Sequence, residues 1–129
     1  MAKIAAPCAA YPPGAAGVVR TYCSGRATVT LTLAGVPHPL GGGLCAGGPG
    51  GFSLNLGVVS GPDLAGPKPD YVGLSVPTAS GPFTGAPLTL VIDGKSYRGV
   101  RVDGQLGPGG GSFQGLTAKH KPVSGQFIC

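Results

Sequence analysis

Leu88-Thr-Leu-Val-Ile-Asp-Gly-Lys-Ser-Tyr-Arg-Gly-Val-Arg-Val-Asp103 decides the fold, because a turn signal and two strand patterns coincide in it. Asp93-Gly94 supplies the positive-φ pair that a tight two-residue turn requires. The arms on either side carry the β-branched and aromatic residues that suit a pleated, half-buried surface. Period-two alternation places Leu88, Leu90 and Ile92 on one face. Tyr97 joins that face in either two-residue register, whereas Val100 and Val102 fall on the other. A bulge at Gly99 is therefore expected to return the valines to the core. Arg98, Arg101 and Asp103 then face water.

The rest of the chain continues the β reading. Its 129 residues fit one domain, 1–129, with residues 1–16 as an Ala/Pro-rich lead-in. Gly 26 and Pro 14 make up just under a third of it, yet hydrophobic residues reach 42% against 10% charged, opposite to a disordered composition. No stretch free of Gly and Pro exceeds the nine residues Arg26 to Ala34, so helix has almost no room. No apolar run approaches the roughly 18 residues of a membrane-spanning helix. Arg26 to Leu33 alternates as a strand, with Ala27, Val29, Leu31 and Leu33 inward and Thr28, Thr30 and Thr32 on a soluble outer face. Further strands are expected at Val18 to Cys23, Phe52 to Val59, Tyr71 to Val76, Ser112 to Ala118 and Val123 to Cys129. Pro37 and Pro39 reduce Val36 to Cys45 to an edge or a loop. Segments 60–69 and 77–87 read as Pro/Gly loops. Eight or nine short strands joined by such turns predict an all-β antiparallel sandwich, Ig-like or barrel-like.

The chemistry-bearing residues form no constellation. The net charge of +5 arises from scarce acids: there is no Glu, and the Asp residues are Asp63, Asp70, Asp93 and Asp103. Three of these sit in turn sequences that explain an Asp conformationally. The basic residues are scattered apart from Lys119-His120-Lys121 and the Arg98/Arg101 pair, unlike the dense stripe of a nucleic-acid reader. Gly41 to Ala46 matches a dinucleotide-binding glycine pattern, but Gly47-Gly-Pro-Gly50 follows where a helix is required. Gly110-Gly-Ser112 lacks the closing Gly of a nucleophile elbow. His38 and His120 read as exposed loop histidines. These patterns point to a protein without catalytic residues, metal or cofactor, which works by contact.

Cys8, Cys23, Cys45 and Cys129, an even number without a C-x-x-C pair, suit two disulfides better than zinc, and disulfides imply export. A leader removed upstream, with Met1 as an added start, accompanies that expectation.

From Ala27 onward the order of features resembles the mycobacterial 19-kDa lipoprotein antigen family of actinobacterial envelope proteins. The shared pieces are Val29-Thr-Leu-Thr-Leu33, Gly43-Leu-Cys45, Phe52-Ser-Leu-Asn-Leu56, Tyr71-Val-Gly-Leu74, Asp93-Gly94 with Tyr97, and Phe127-Ile-Cys129. The resemblance implies a lipoprotein-like β-sandwich at the cell envelope, a Cys45–Cys129 bridge, and a non-enzymatic role in surface or host contact. The chain departs from that family in lacking a suitably placed lipid-attachment cysteine and a Thr-rich tail. The Asp93 to Gly99 hairpin is also similar to the subtilisin-inhibitor-like proteins of actinomycetes, although loop 77–87 has neither their disulfide clamp nor their helix. Cys8 and Cys23 flank a short Pro/Gly turn, and Cys129 ends a strand whose terminus needs holding. The pairing expected is therefore Cys8 with Cys23 and Cys45 with Cys129.

The expected function is an exported envelope or extracellular domain acting as a binding module or assembly subunit on a protein or cell-surface partner, without nucleic acid. Lys68, Tyr71 and Phe83 are its candidate contact residues. The alternatives are a protease inhibitor presenting loop 77–87 and a structural subunit of a filament or capsid.

Overall fold

The structure, a computed structural model, describes residues 16–48, 50–62, 64 and 68–129. The strands are β1 (Val18–Tyr22), β2 (Ala27–Leu33), β3 (Val36–Gly48), β4 (Gly51–Ser60), β5 (Tyr71–Val76), β6 (Gly81–Phe83), β7 (Leu88–Ile92), β8 (Lys95–Gly107), β9 (Gly110–Thr117) and β10 (Pro122–Ile128). All the pairings are antiparallel. The hairpin of β7 and β8 forms as its turn chemistry dictates: Ile92 pairs with Lys95, and Asp93 and Gly94 take φ of 52° and 80°. Gly94→Val, which forces a β-branched residue into that conformation, is expected to cost about 1–3 kcal/mol in a denaturant titration; an unchanged midpoint would contradict the turn.

The expected sandwich is a barrel. Strands β2, β3, β4, β5, β7, β8, β9 and β10 pair each with the next, and β10 pairs back with β2, so eight strands close on themselves in up-and-down order. β1 adds to β4 and β6 to β8 outside this ring. Strand lengths and alternation look alike in sandwich and barrel. What distinguishes them is the β10–β2 register, Phe127 opposite Val29 and Val123 opposite Leu33, which joins opposite ends of the chain.

Three local devices make closure feasible. The hairpin bulge lies at Arg101 (φ 53°), later than Gly99: Arg101 and Val102 together oppose Gly115. The parity of β8 switches there, so Val102 is buried while Val100 stays half-buried on the outside. Gly57 (φ 98°) pairs with both Tyr22 and Tyr71, and any Cβ on it would collide with the Asp70 carbonyl, so β4 bends from β5 toward β1 at a residue only glycine supplies. The two prolines do not exclude β3 from the barrel, because β4 pairs with it only from Leu44 onward. Among the described residues, the half containing Pro37 and Pro39 has β2 on one side and no ladder on the other.

Side chains fill the inside. Leu31, Leu54, Leu56, Val72, Leu88, Leu90 and Val102 are fully buried, and Phe52, Phe113 and Phe127 pack together with ring centroids 5.7 and 6.4 Å apart. Glycines face these rings from neighbouring strands: Gly125 and Gly104 lie opposite Phe113, Gly111 opposite Phe127, and Gly104 opposite Phe83 as well. A Cβ on Gly111 would stand 2.7 Å from Phe127 Cζ, and one on Gly104 2.7 Å from Phe83 Cζ. Much of the in-strand glycine is thus a matching surface for aromatic rings, the small-against-large pattern by which narrow barrels fill.

Among the described residues one disulfide, Cys45–Cys129, is formed, with Cα atoms 5.8 Å apart. It joins β3 to the end of β10 across the start of β2. The other expected bridge involves Cys8, which lies outside the described residues, as does the lead-in through residue 15.

Candidate contact surface

The three residues proposed for contact from sequence do not form one patch. Phe83 is only 5% exposed. Pairing of β6 with β8 turns it into the core against Gly104, so it is a packing residue and does not line a surface. Lys68 is exposed, with Nζ 3.4 Å from Ser96 Oγ. Tyr71 is half-buried on the outer wall, where its ring lies over Gly73 and its hydroxyl donates to Asn55 Oδ1 at 2.6 Å.

Burial, and secondarily the nearby Tyr22, raise the Tyr71 phenol above its ordinary value of 10.0. The folded protein therefore holds this proton where the unfolded chain releases it, so the contribution is intact below about pH 10 and lost as pH rises through the folded value. Comparing thermal unfolding of Tyr71→Phe and wild type between pH 8 and 11 tests this. The wild-type advantage from the Asn55 hydrogen bond, about 1 kcal/mol, is expected to shrink above pH 10; a constant difference would contradict it.

Segment 77–87 is not a projecting loop. Gly81, Pro82 and Phe83 pair with Leu106, Gln105 and Gly104, and the Ala86 N–H donates to the Val102 carbonyl at 2.9 Å. Pro77 to Ser80 precede these pairings. Two carboxylates hold backbone: Asp103 Oδ1 accepts the Gly85 N–H, and Asp70 Oδ1 accepts the Asp93 N–H, each at 3.1 Å. Among the described residues no three His, Cys, Asp or Glu side chains converge on a metal position. His38 is half-buried on β3 opposite Leu31, and His120 is exposed in the turn between β9 and β10.

The closed barrel brings together a surface that no sequence segment shows. On the outer face of β2, β10, β9 and β8, cross-strand register aligns Thr30, Gln126, Ser112 and Gln105 in one row and Thr32, Ser124, Gln114 and Asp103 in the next. A groove of about 700 Å³ runs over both rows, floored by backbone at Gly104, Phe113 and Gly125. Toward the β9–β10 turn it continues into a second concavity lined by Arg101, Gly35, Leu116 and Pro122. The side-chain hydrogen bonds among the described residues lie off this face except at Asp103, so its amides and hydroxyls are turned to solvent.

Beside it, the Ala118 N–H donates to the Arg98 carbonyl at 2.8 Å, which brings the turn carrying Lys119 and Lys121 alongside the segment of β8 that carries Arg98, three residues before Arg101. Lys121 Nζ stands 6.0 Å from the Tyr97 ring centroid. All four cations are exposed. The outward Thr row of β2 is readable in the sequence; its partners become visible only with the β10–β2 register. No family model, curated protein or solved structure matches this chain.

Proposed function

We propose that this chain is a non-enzymatic, exported binding module of the cell envelope or extracellular space, acting through its outer wall. The observation that carries the reading is the pair of registered polar rows over β2, β10, β9 and β8, a built concave surface on a barrel whose inside is occupied by its own side chains. The Cys45–Cys129 bridge supports export, since such bonds persist in oxidising compartments. The resemblance to actinobacterial envelope lipoproteins supports the same location. Co-sedimentation with isolated actinobacterial cell envelopes tests the reading. Wild type is expected to pellet, and a Gln114→Ala/Gln126→Ala variant, with outward substitutions that leave the core intact, to stay in solution. Equal behaviour of the two proteins would overturn it.

Assembly is a second reading, favoured by β1: among the described residues it pairs with β4 alone, as a sheet edge does, and it carries Val19 at 68% exposure. A concentration-dependent shift in size-exclusion chromatography that Val19→Lys abolishes would support it; a monomer at every concentration would remove it.

A further inference from the structure

Resting on that reading of the outer wall, we infer that the groove takes an acidic, hydroxyl-rich glycan chain, with its anionic groups toward Arg98 and Arg101. Three features of the surface select this chemistry. The eight side chains of the two rows are hydroxyls, amides and one carboxylate, and amide and hydroxyl groups both donate and accept, as sugar hydroxyls do. Standard strand spacings give the rows a footprint of roughly 7 by 14 Å, a span that suits consecutive sugar rings better than a single small molecule. Arg101 lines the groove's continuation beyond the bulge, and Arg98 is exposed three residues before it on β8. Asp103, which lines both the groove and that continuation, holds the Gly85 N–H with Oδ1 and leaves its other oxygen for ligand hydroxyls.

The same surface argues against other polymers. An extended peptide adds to a sheet edge, but beneath the groove β9 and β10 are paired on both sides and β2 and β8 have neighbours beyond it. Single-stranded nucleic acid needs exposed rings for stacking, whereas Phe113 beneath the groove is buried and Tyr97 is turned toward the barrel interior.

Amide chemical-shift titration of the intact chain tests the inference, with a hyaluronan hexasaccharide as acidic glycan, maltohexaose as its neutral counterpart and inorganic polyphosphate as a pure polyanion. Hyaluronan is expected to shift amides in both rows and at Arg98 and Arg101. Arg98→Gln/Arg101→Gln should weaken it about tenfold and reduce its salt dependence, and Gln114→Ala/Gln126→Ala should weaken it several-fold. Maltohexaose should bind more weakly, and polyphosphate should shift only the basic end. Polyphosphate binding as tightly as hyaluronan, with the glutamine variants unaffected, would reduce the surface to simple charge attraction and overturn the inference. Absence of any glycan-induced shift, while envelope binding still depends on Gln114 and Gln126, would overturn the ligand class and leave the contact surface standing.

Discussion

Replacing Cys45 and Cys129 together by serine is expected to lower the free energy of unfolding by roughly 4 to 5 kcal/mol, the chain-entropy value for a bridge across 84 residues. Its position makes the loss larger than that of an ordinary surface cross-link. Ile128 pairs with Thr28, and Ala27, the first residue of β2, pairs with Gly43. Below that point β2 no longer separates β10 from β3, and the bridge occupies the gap. The Cys129 N–H also donates to the Gly109 carbonyl at 2.8 Å, so the bridge anchors the β8–β9 turn through the chain end. Urea titration of wild type and the double variant measures the effect. A loss below about 1 kcal/mol would mean that the bridge does not constrain the barrel's closing strand.

The second large effect is expected at the glycine–aromatic contact of β9 and β10. Phe113→Ala removes a ring buried against Phe127 and should cost about 3–5 kcal/mol. Gly125→Ala acts in the opposite sense: its Cβ would stand 2.6 Å from Phe113 Cε2, an overpacking expected to cost about 1–3 kcal/mol. Because the two residues face each other, Gly125→Ala combined with Phe113→Leu should lose less than the sum of the single changes. Strict additivity would show that the glycine is there for another reason.

These contacts mark where sequence reasoning succeeds and where it stops. The β7–β8 hairpin was legible because Asp93-Gly94 determines its turn locally. The inward set Ala27, Val29, Leu31 and Leu33 was legible because alternation is a property of one strand. Glycine marks bulges in general, which points to Gly99, but the bulge's position depends on Gly115 across the pair, where a Cβ would meet the Arg101 carbonyl. In-strand glycines such as Gly104, Gly111 and Gly125 read as turns or weak strands until the ring opposite each is known. Phe83, between Pro82 and Pro87, reads as a loop residue; only pairing of β6 with β8 buries it. The candidate surface was the least legible part, because Thr30, Gln105, Ser112 and Gln126 come from four strands and share a row only through closure.

Closure of the eight-stranded ring underlies both the packed interior and the assembled outer face, and native-state amide hydrogen exchange tests it most directly. The ladder amides linking β2 and β10 are expected to exchange only through global unfolding, with the same protection as those linking β4 and β5. Exchange of the inter-strand amides of β2 or β10 at the rate of an unpaired sheet edge would contradict the barrel, and with it the surface built across that seam.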